Sequence, residues 1–232
     1  MNYRHEYKYL CTPADLALER ARLERLLKPD PHAGPDGSYD IRSVYFDDPE
    51  NRCFFENEDG ESPRAKYRLR IYNKNAGFIR LEKKSKLQGM TRKEAATLSR
   101  AQAETLLCGQ IPRQAAGQDE RLTRLLAEMR LLALRPVVVV RYRRTPFVLE
   151  TGNVRITLDE EISSSQAVGR FLDTDLPMRP VLGGGQGVLE VKWDEFLPSW
   201  LKESMELETL RWSGFSKYDL CRKYNTYGGL LL

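Results

Sequence analysis

KYRLRIY (66–72), FIRLEKKSK (78–86) and VLEVKW (188–193) carry a charged residue at every second position. Successive side chains of a strand point to opposite faces, so Lys66, Arg68 and Arg70 share one face while Tyr67, Leu69 and Ile71 share the other. The same parity groups Arg80, Glu82 and Lys84 against Ile79 and Leu81, and Glu190 and Lys192 against Leu189, Val191 and Trp193. These segments are strands with one charged face and one apolar face.

Working outward, a first strand is expected over about Tyr3 to Leu10. Thr12 then caps a helix whose first turn holds Pro13 and which stops before Pro29. Gly34-Pro35-Asp36-Gly37 is a turn, Tyr39 to Phe46 a strand, and Asp48 to Asp59 a short acidic helix or loop. Gln88-Gly89 reads as a hairpin turn into a strand at Thr91 to Ala95. Ser99 caps a helix, and another runs from about Asp119 to Leu134. Strands follow at 137–145, 147–150 and 154–162, then VLEVKW, a helix from Pro198 to Leu210 and a last helix capped by Ser213. About eight strands with helices between them suit an α+β fold: an eight-stranded antiparallel closed β-barrel with helices packed around it. No Pro/Gly/Ser-rich tract divides the chain, which is expected to form a single domain over 1–232.

Composition excludes several classes. The chain enters a charged strand at once, with no apolar region for a secretory signal, and its longest apolar run, Pro136 to Val140, is far short of the roughly 20 residues of a membrane helix. A cytoplasmic location is expected. Cys11, Cys53, Cys108 and Cys221 are widely spaced, and the histidines are His5 and His32 alone, so reduced thiols are favoured over a zinc site. No GxxxxGK[ST] loop occurs, and Gly183-Gly184-Gly185 follows no strand. The net charge of +4 is modest but unevenly distributed.

If the charged faces point into one barrel, its lumen collects Arg4, Glu6, Lys8, Lys66, Arg68, Arg70, Arg80, Glu82, Lys84, Arg144, Arg155, Asp159, Glu190 and Lys192. Cations outnumber carboxylates there, and enclosing like charges is costly unless a polyanion compensates. A few carboxylates among phosphate-binding cations can hold Mg²⁺ or Mn²⁺. On any one strand, alternating charge describes a sheet face in water. Across all of them the leaning towards arginine, whose planar fork suits phosphate, favours the enclosed lumen.

These segments resemble the triphosphate tunnel metalloenzymes, and within them the VTC-type polyphosphate polymerase domain. The resemblance rests on Arg4-x-Glu6-x-Lys8-Tyr9, Ser43-Val44-Tyr45-Phe46-Asp47, Lys66-Tyr67-Arg68-Leu69-Arg70-x-Tyr72, Leu81-Glu82-Lys83-Lys84, Tyr142-x-Arg144-Thr145-x-Phe147, Val154-Arg155-x-Thr157-x-Asp159, Leu189-Glu190-Val191-Lys192 and Phe215-Ser216-Lys217-Tyr218, in that order over nearly the whole chain. It implies an ATP-dependent polymerase that transfers the γ-phosphoryl group to inorganic polyphosphate with Mn²⁺ or Mg²⁺. Arg68, Arg70, Arg144 and Arg155 would act on the reacting phosphates. Lys8, Lys66, Lys84, Lys93, Lys192 and Lys217 would bind phosphate, and Glu190 and Glu6 would hold the metal.

Arg4-x-Glu6 stands where much of the superfamily has paired glutamates, which resembles the VTC branch. Gly214 stands where the resemblance leads one to expect a further lysine. The alternatives are a triphosphatase in the same tunnel and a non-catalytic polyphosphate-binding module. Nucleic acid is not expected as a partner, because Tyr67 lies on the apolar face and the carboxylates would repel a nucleic-acid backbone. Coupling to a membrane would need a partner protein. Oligomeric state is not legible.

Overall fold

The computed structural model describes residues 4–114, 117–208, 210 and 214–227. The Tyr3 strand start and the Ser213 cap lie outside them. In chain order the elements are β1 (His5–Cys11), α1 (Pro13–Leu26), β2 (Lys28–Pro29), β3 (Tyr39–Asp47), α2 (Arg52–Glu58), β4 (Arg64–Tyr72), β5 (Asn75–Leu87), β6 (Met90–Leu98), α3 (Arg100–Leu107), α4 (Glu120–Leu131), β7 (Arg135–Leu149), β8 (Val154–Ser165), β9 (Arg179–Pro180), β10 (Gly187–Trp193), α5 (Ser199–Ser204) and α6 (Lys217–Tyr227).

Local chemistry sets the boundaries. The Thr12 hydroxyl accepts from the Asp15 amide while the Asp15 carboxylate accepts from the Thr12 amide, a capping box that starts α1 beside Pro13. Ser99 and Gln102 do the same for α3, and the Asp119 carboxylate caps α4. Gln88 and Gly89 both have positive φ, the backbone of a tight two-residue hairpin turn between β5 and β6. One expectation fails at Pro146: the strands read as 137–145 and 147–150 are a single strand, β7. The strand survives the missing N–H because Pro146 still accepts from the Asp30 amide, and β2 pairs with the residues just beyond it. The helix expected over Pro198–Leu210 is also shorter, α5 ending at Ser204.

The sheet is antiparallel in the order β1-β10-β8-β7-β3-β4-β5-β6, with β2 and β9 pairing off this path. It curls until its two ends meet at one bridge, where Arg4 and Thr91 exchange both backbone hydrogen bonds at 2.9 Å. The expected barrel is therefore an eight-stranded curled sheet pinned at one point, with no continuous ladder between β1 and β6 among the described residues.

The apolar faces lie outside the curl. Tyr67, Leu69 and Ile71 of β4 and Ile79 and Leu81 of β5 are buried against Leu106 of α3 and Leu122, Leu125 and Met129 of α4. Each such side chain contributes about 1.5–3 kcal/mol by leaving water. A second cluster packs Leu16 and Leu23 of α1 and Leu201 of α5 on Ile156, Leu158, Leu189 and Val191. With both outer faces covered by helices, the charged faces have only the inside of the curl left to them.

Candidate phosphate-binding tunnel

Inside the curl lies a cavity of about 680 Å³. Every expected site residue lines it: Lys8, Lys66, Arg68, Arg70, Lys84, Lys93, Arg144, Arg155, Lys192, Lys217, Glu6 and Glu190. Arg4 lines it too, held by Asp194 at 2.5 Å. Arg80, expected in the lumen, does not reach it and stacks over Phe78 instead. Glu82 and Asp159, also expected there, are fully buried in the wall behind the arginines.

The walls are built from register. Arg68 pairs with Glu82 across the β4–β5 ladder, and the Glu82 carboxylate accepts from Arg68 Nε at 2.8 Å and Nη2 at 2.7 Å. Arg70 approaches the same oxygen at 3.7 Å and donates to Ser43 and Tyr142. Burial opposes ionisation of Glu82, but Arg68 and Arg70 outweigh it and hold the carboxyl well below its usual range. On the opposite wall Arg144 grips Asp159 in a two-pronged contact at 2.6 and 2.7 Å and reaches Glu190 at 3.0 Å. Gly187 permits the close passage of β10 here, since a Cβ on it would stand 2.6 Å from the Asp159 carbonyl oxygen.

The open end of the curl is stoppered by α6. Lys217 at its start reaches Asp159 Oδ2 at 2.6 Å and sits over the Tyr142 ring, while Tyr218 donates to Asp47, whose carboxylate also accepts from the first amides of α2. Ser216, outside the helix, accepts from the Asp219 amide through its hydroxyl. Lys66 donates to Ser216 at 2.8 Å and to Asp219 at 3.2 Å. Burial drives the Lys66 ammonium down to about 8 against the pull of Asp219, with Lys8 adding to the depression. Sequence reasoning missed Asp219 and Asp47, whose roles depend on α6 docking; no strand parity marks them.

Glu6 and Glu190 differ from the wall carboxylates because they face the cavity among lysines. Cross-strand pairing sets Glu6 opposite Lys192 and Lys8 opposite Glu190. Lys8 lies 3.7 Å from both carboxylates, Lys192 lies 2.8 Å from Glu190 and 3.6 Å from Glu6, and Lys84 lies 2.6 Å from Glu6. Burial opposes their ionisation, yet the surrounding cations keep both carboxyls below their usual range. The hydroxyl of Thr157, the register partner of Glu190, is buried with no hydrogen-bond partner. Two adjacent carboxylates fit a small hard divalent cation whose remaining positions are filled by water and phosphate oxygens. Among the described residues no group of three or more His, Cys, Asp or Glu side chains could cage a metal alone. No described helix is long and apolar enough to cross a membrane.

Comparison with solved structures identifies the same fold at low identity. A putative adenylyl cyclase from Hippeastrum, described as having a dominant triphosphatase activity, matches with TM-score 0.55 and 14% identity over 96% of each chain. The protein PH1819 of Pyrococcus horikoshii matches with TM-score 0.50 and 15% identity over 95% of this chain and 99% of its own. No curated protein sequence matches. The VTC domain, as a family, matches residues 3–224, a span that takes in every strand and helix lining the tunnel up to the middle of α6. The chain belongs to the VTC domain family.

Proposed function

We propose that the chain acts as one domain over 1–232 and is a metal-dependent polyphosphate polymerase, moving the ATP γ-phosphoryl group onto the end of an inorganic polyphosphate chain. The observation that carries this reading is the division of labour among carboxylates. Arg68, Arg70 and Arg144 are anchored from behind by Glu82 and Asp159, which leaves further N–H donors for the cavity, while Glu6 and Glu190 stand inside it. Cations enter this cavity from seven of the ten strands and from α6, a charge in excess of what one nucleoside triphosphate requires. That excess favours a long anionic acceptor over water.

The attacking oxygen belongs to a terminal phosphate that is already anionic near neutral pH, so proton abstraction by a side chain is not needed. A bond forms between that oxygen and the γ-phosphorus, the bond from the γ-phosphorus to the β–γ bridging oxygen breaks, and ADP leaves with the electron pair. Arg68, Arg70, Arg144 and Arg155 offset charge on the equatorial oxygens of the group in flight. Lys8, Lys66, Lys84, Lys93, Lys192 and Lys217 bind and orient donor and acceptor phosphates, converting their encounter into a positioned one. Mn²⁺ or Mg²⁺ held by Glu190 and Glu6 would supply a Lewis acid for phosphate oxygens.

The purified protein incubated with ATP, Mn²⁺ and a short polyphosphate primer should yield ADP and a ladder of lengthened chains on a gel. ADP with free phosphate as the sole other product would overturn the polymerase reading in favour of a triphosphatase. Polyphosphate binding without turnover would leave a binding module.

A further inference from the structure

Charge matching within the tunnel stops at one end of the β4–β5 hairpin. Arg68 faces Glu82, but one rung further Lys66 faces Lys84, which in turn faces Lys93 on β6. The next rung sets Arg64 directly opposite Lys86. Like charges in direct opposition destabilise an antiparallel pair. On the lysine rung, Asp219, Glu6 and Glu82 provide relief. On the outer rung nothing comparable does: among the described residues neither Arg64 nor Lys86 has a carboxylate within ion-pair distance, and Arg64 donates to the Glu61 backbone carbonyl. Burial, and then the nearby Arg64, depress Lys86. Arg92 of β6 adds a third such cation, with its Nε buried and unpartnered. All three are half-buried and line the same cavity as the inner residues.

Arg64 and Lys86 stand in direct opposition, Arg92 lies on the neighbouring strand along the same cavity, and with no carboxylate within ion-pair distance of any of them among the described residues, an anion from outside would complete the set. The placement of the aromatic side chains narrows its chemistry. Tyr72 and Tyr39 pack edge-on at the far end of β4, eight residues or about 27 Å along an extended strand from Arg64. A second pair, Tyr45 and Tyr218 at 4.9 Å, lies beside Lys66, one rung inward, and among the described residues none of Arg64, Lys86 and Arg92 stands over a ring. We propose that Arg64, Lys86 and Arg92 form an outer subsite for the backbone phosphates of a linear inorganic polyphosphate, holding the stretch of chain that extends past the Lys66–Lys84 rung. This rests on the tunnel being a polyphosphate site, and it assigns the basic end to the chain.

The test compares two ligands on the intact chain, tripolyphosphate and long-chain polyphosphate, by isothermal titration calorimetry with wild type, the double variant Arg64→Gln/Lys86→Gln, and Arg92→Gln. Far-ultraviolet circular dichroism and melting temperature confirm folding of each. Because affinity for a polyanion grows with each phosphate neutralised, the double variant should lose at least about fivefold more affinity for the long chain than for tripolyphosphate, with a shallower salt dependence. Arg92→Gln should lose less, in the same direction. Equal loss for both ligands, or no loss, overturns the subsite. If wild type makes no chains but the variants still lose long-chain binding selectively, the polymerase reading fails and the subsite stands. If wild type makes chains and the affinity ratio is unchanged, the subsite alone fails.

Discussion

Two pairs of carboxylates share this tunnel and are used differently. Glu82 and Asp159 lie fully buried behind the arginines, each bonded at 2.6–2.8 Å to a guanidinium, and neither lines the cavity. Glu6 and Glu190 line the cavity and are contacted chiefly by lysine ammonium groups, two of which they share. The rigid planar guanidinium fork fixes a geometry, whereas an ammonium on a four-carbon stem is a movable point charge. On the proposed reading, the first pair holds the phosphate grip in shape. On the same reading the second would exchange lysine contacts for a metal and its phosphates, so the two pairs should fail in opposite ways when altered.

The largest effect is expected from Glu82→Gln. Removing one partner of a buried ion pair leaves uncompensated charge on Arg68 and Arg70, a loss of about 3–5 kcal/mol that urea denaturation would measure. The pH response sharpens the point. Arg68 and Arg70 depress the folded-state pKa of Glu82 against the effect of burial, so its stabilisation is complete above the ordinary carboxyl range and is lost as pH falls through that range and below. Glu82→Gln should therefore flatten the acid limb of the stability profile. A variant as stable as wild type at pH 7 would remove the distinction between anchoring and cavity-facing carboxylates.

Glu190→Gln should do the reverse, keeping most of the stability but lowering Mn²⁺-dependent turnover by about 10²–10³-fold, or about 2.7–4 kcal/mol of transition-state stabilisation. Steady-state rates across a Mn²⁺ titration, with a thermal melt as control, separate the two. If turnover survives while the melt collapses, Glu190 belongs with Glu82.

The two pairs also differ in how far the sequence reveals them. Parity along 66–72 and 78–86 was enough to set Arg68, Arg70, Glu82 and Lys84 on one face, because a hairpin ladder is local and period two is strict. Glu6 and Glu190 follow from the same rule on β1 and β10. The Asp159 site is only half legible: Arg144 and Asp159 have the right parity, but Lys217 arrives on α6 from far along the chain, and Asp47 and Asp219 become informative only once α6 docks. Parity also overreached at Arg80, which pairs with the cavity-lining Arg70 but does not itself line the cavity, its guanidinium lying over Phe78. The continuity of β7 through Pro146 was hidden because a missing N–H reads as a break until β2 and Asp30 supply other partners.

A smaller effect concerns protons. Burial lowers Lys66 to about 8, so part of the population is neutral just above neutral pH. A bound phosphate favours the ammonium and raises that value, so binding takes up protons. Tripolyphosphate affinity should therefore weaken as pH rises from about 7 to 9, and calorimetry in buffers of differing ionisation enthalpy should show net proton uptake that Lys66→Gln reduces. The depression also makes the ligand-free fold gain stability as pH rises above 8 towards the ordinary lysine range. Proton release on binding would contradict the placement of Lys66 at the phosphate.

The smallest expected effect is a gain. Gly214 is exposed, lines the cavity beside Phe215 and Ser216, and a Cβ there would meet nothing within 4 Å among the described residues. A lysine at that position has room to reach the tunnel without displacing α6. Because the added ammonium stays largely in water, its contribution should be below about 1 kcal/mol. Gly214→Lys should therefore tighten long-chain polyphosphate binding by less than about fivefold and leave the melting temperature within a few degrees. It adds a cation without a carboxylate behind it, so its effect should vanish at high salt, whereas the grip of Arg68 and Arg144, backed by buried anions, should persist. A Gly214→Lys gain that resists salt as well as the arginine contacts do would mean that buried backing is not what makes the inner cations effective.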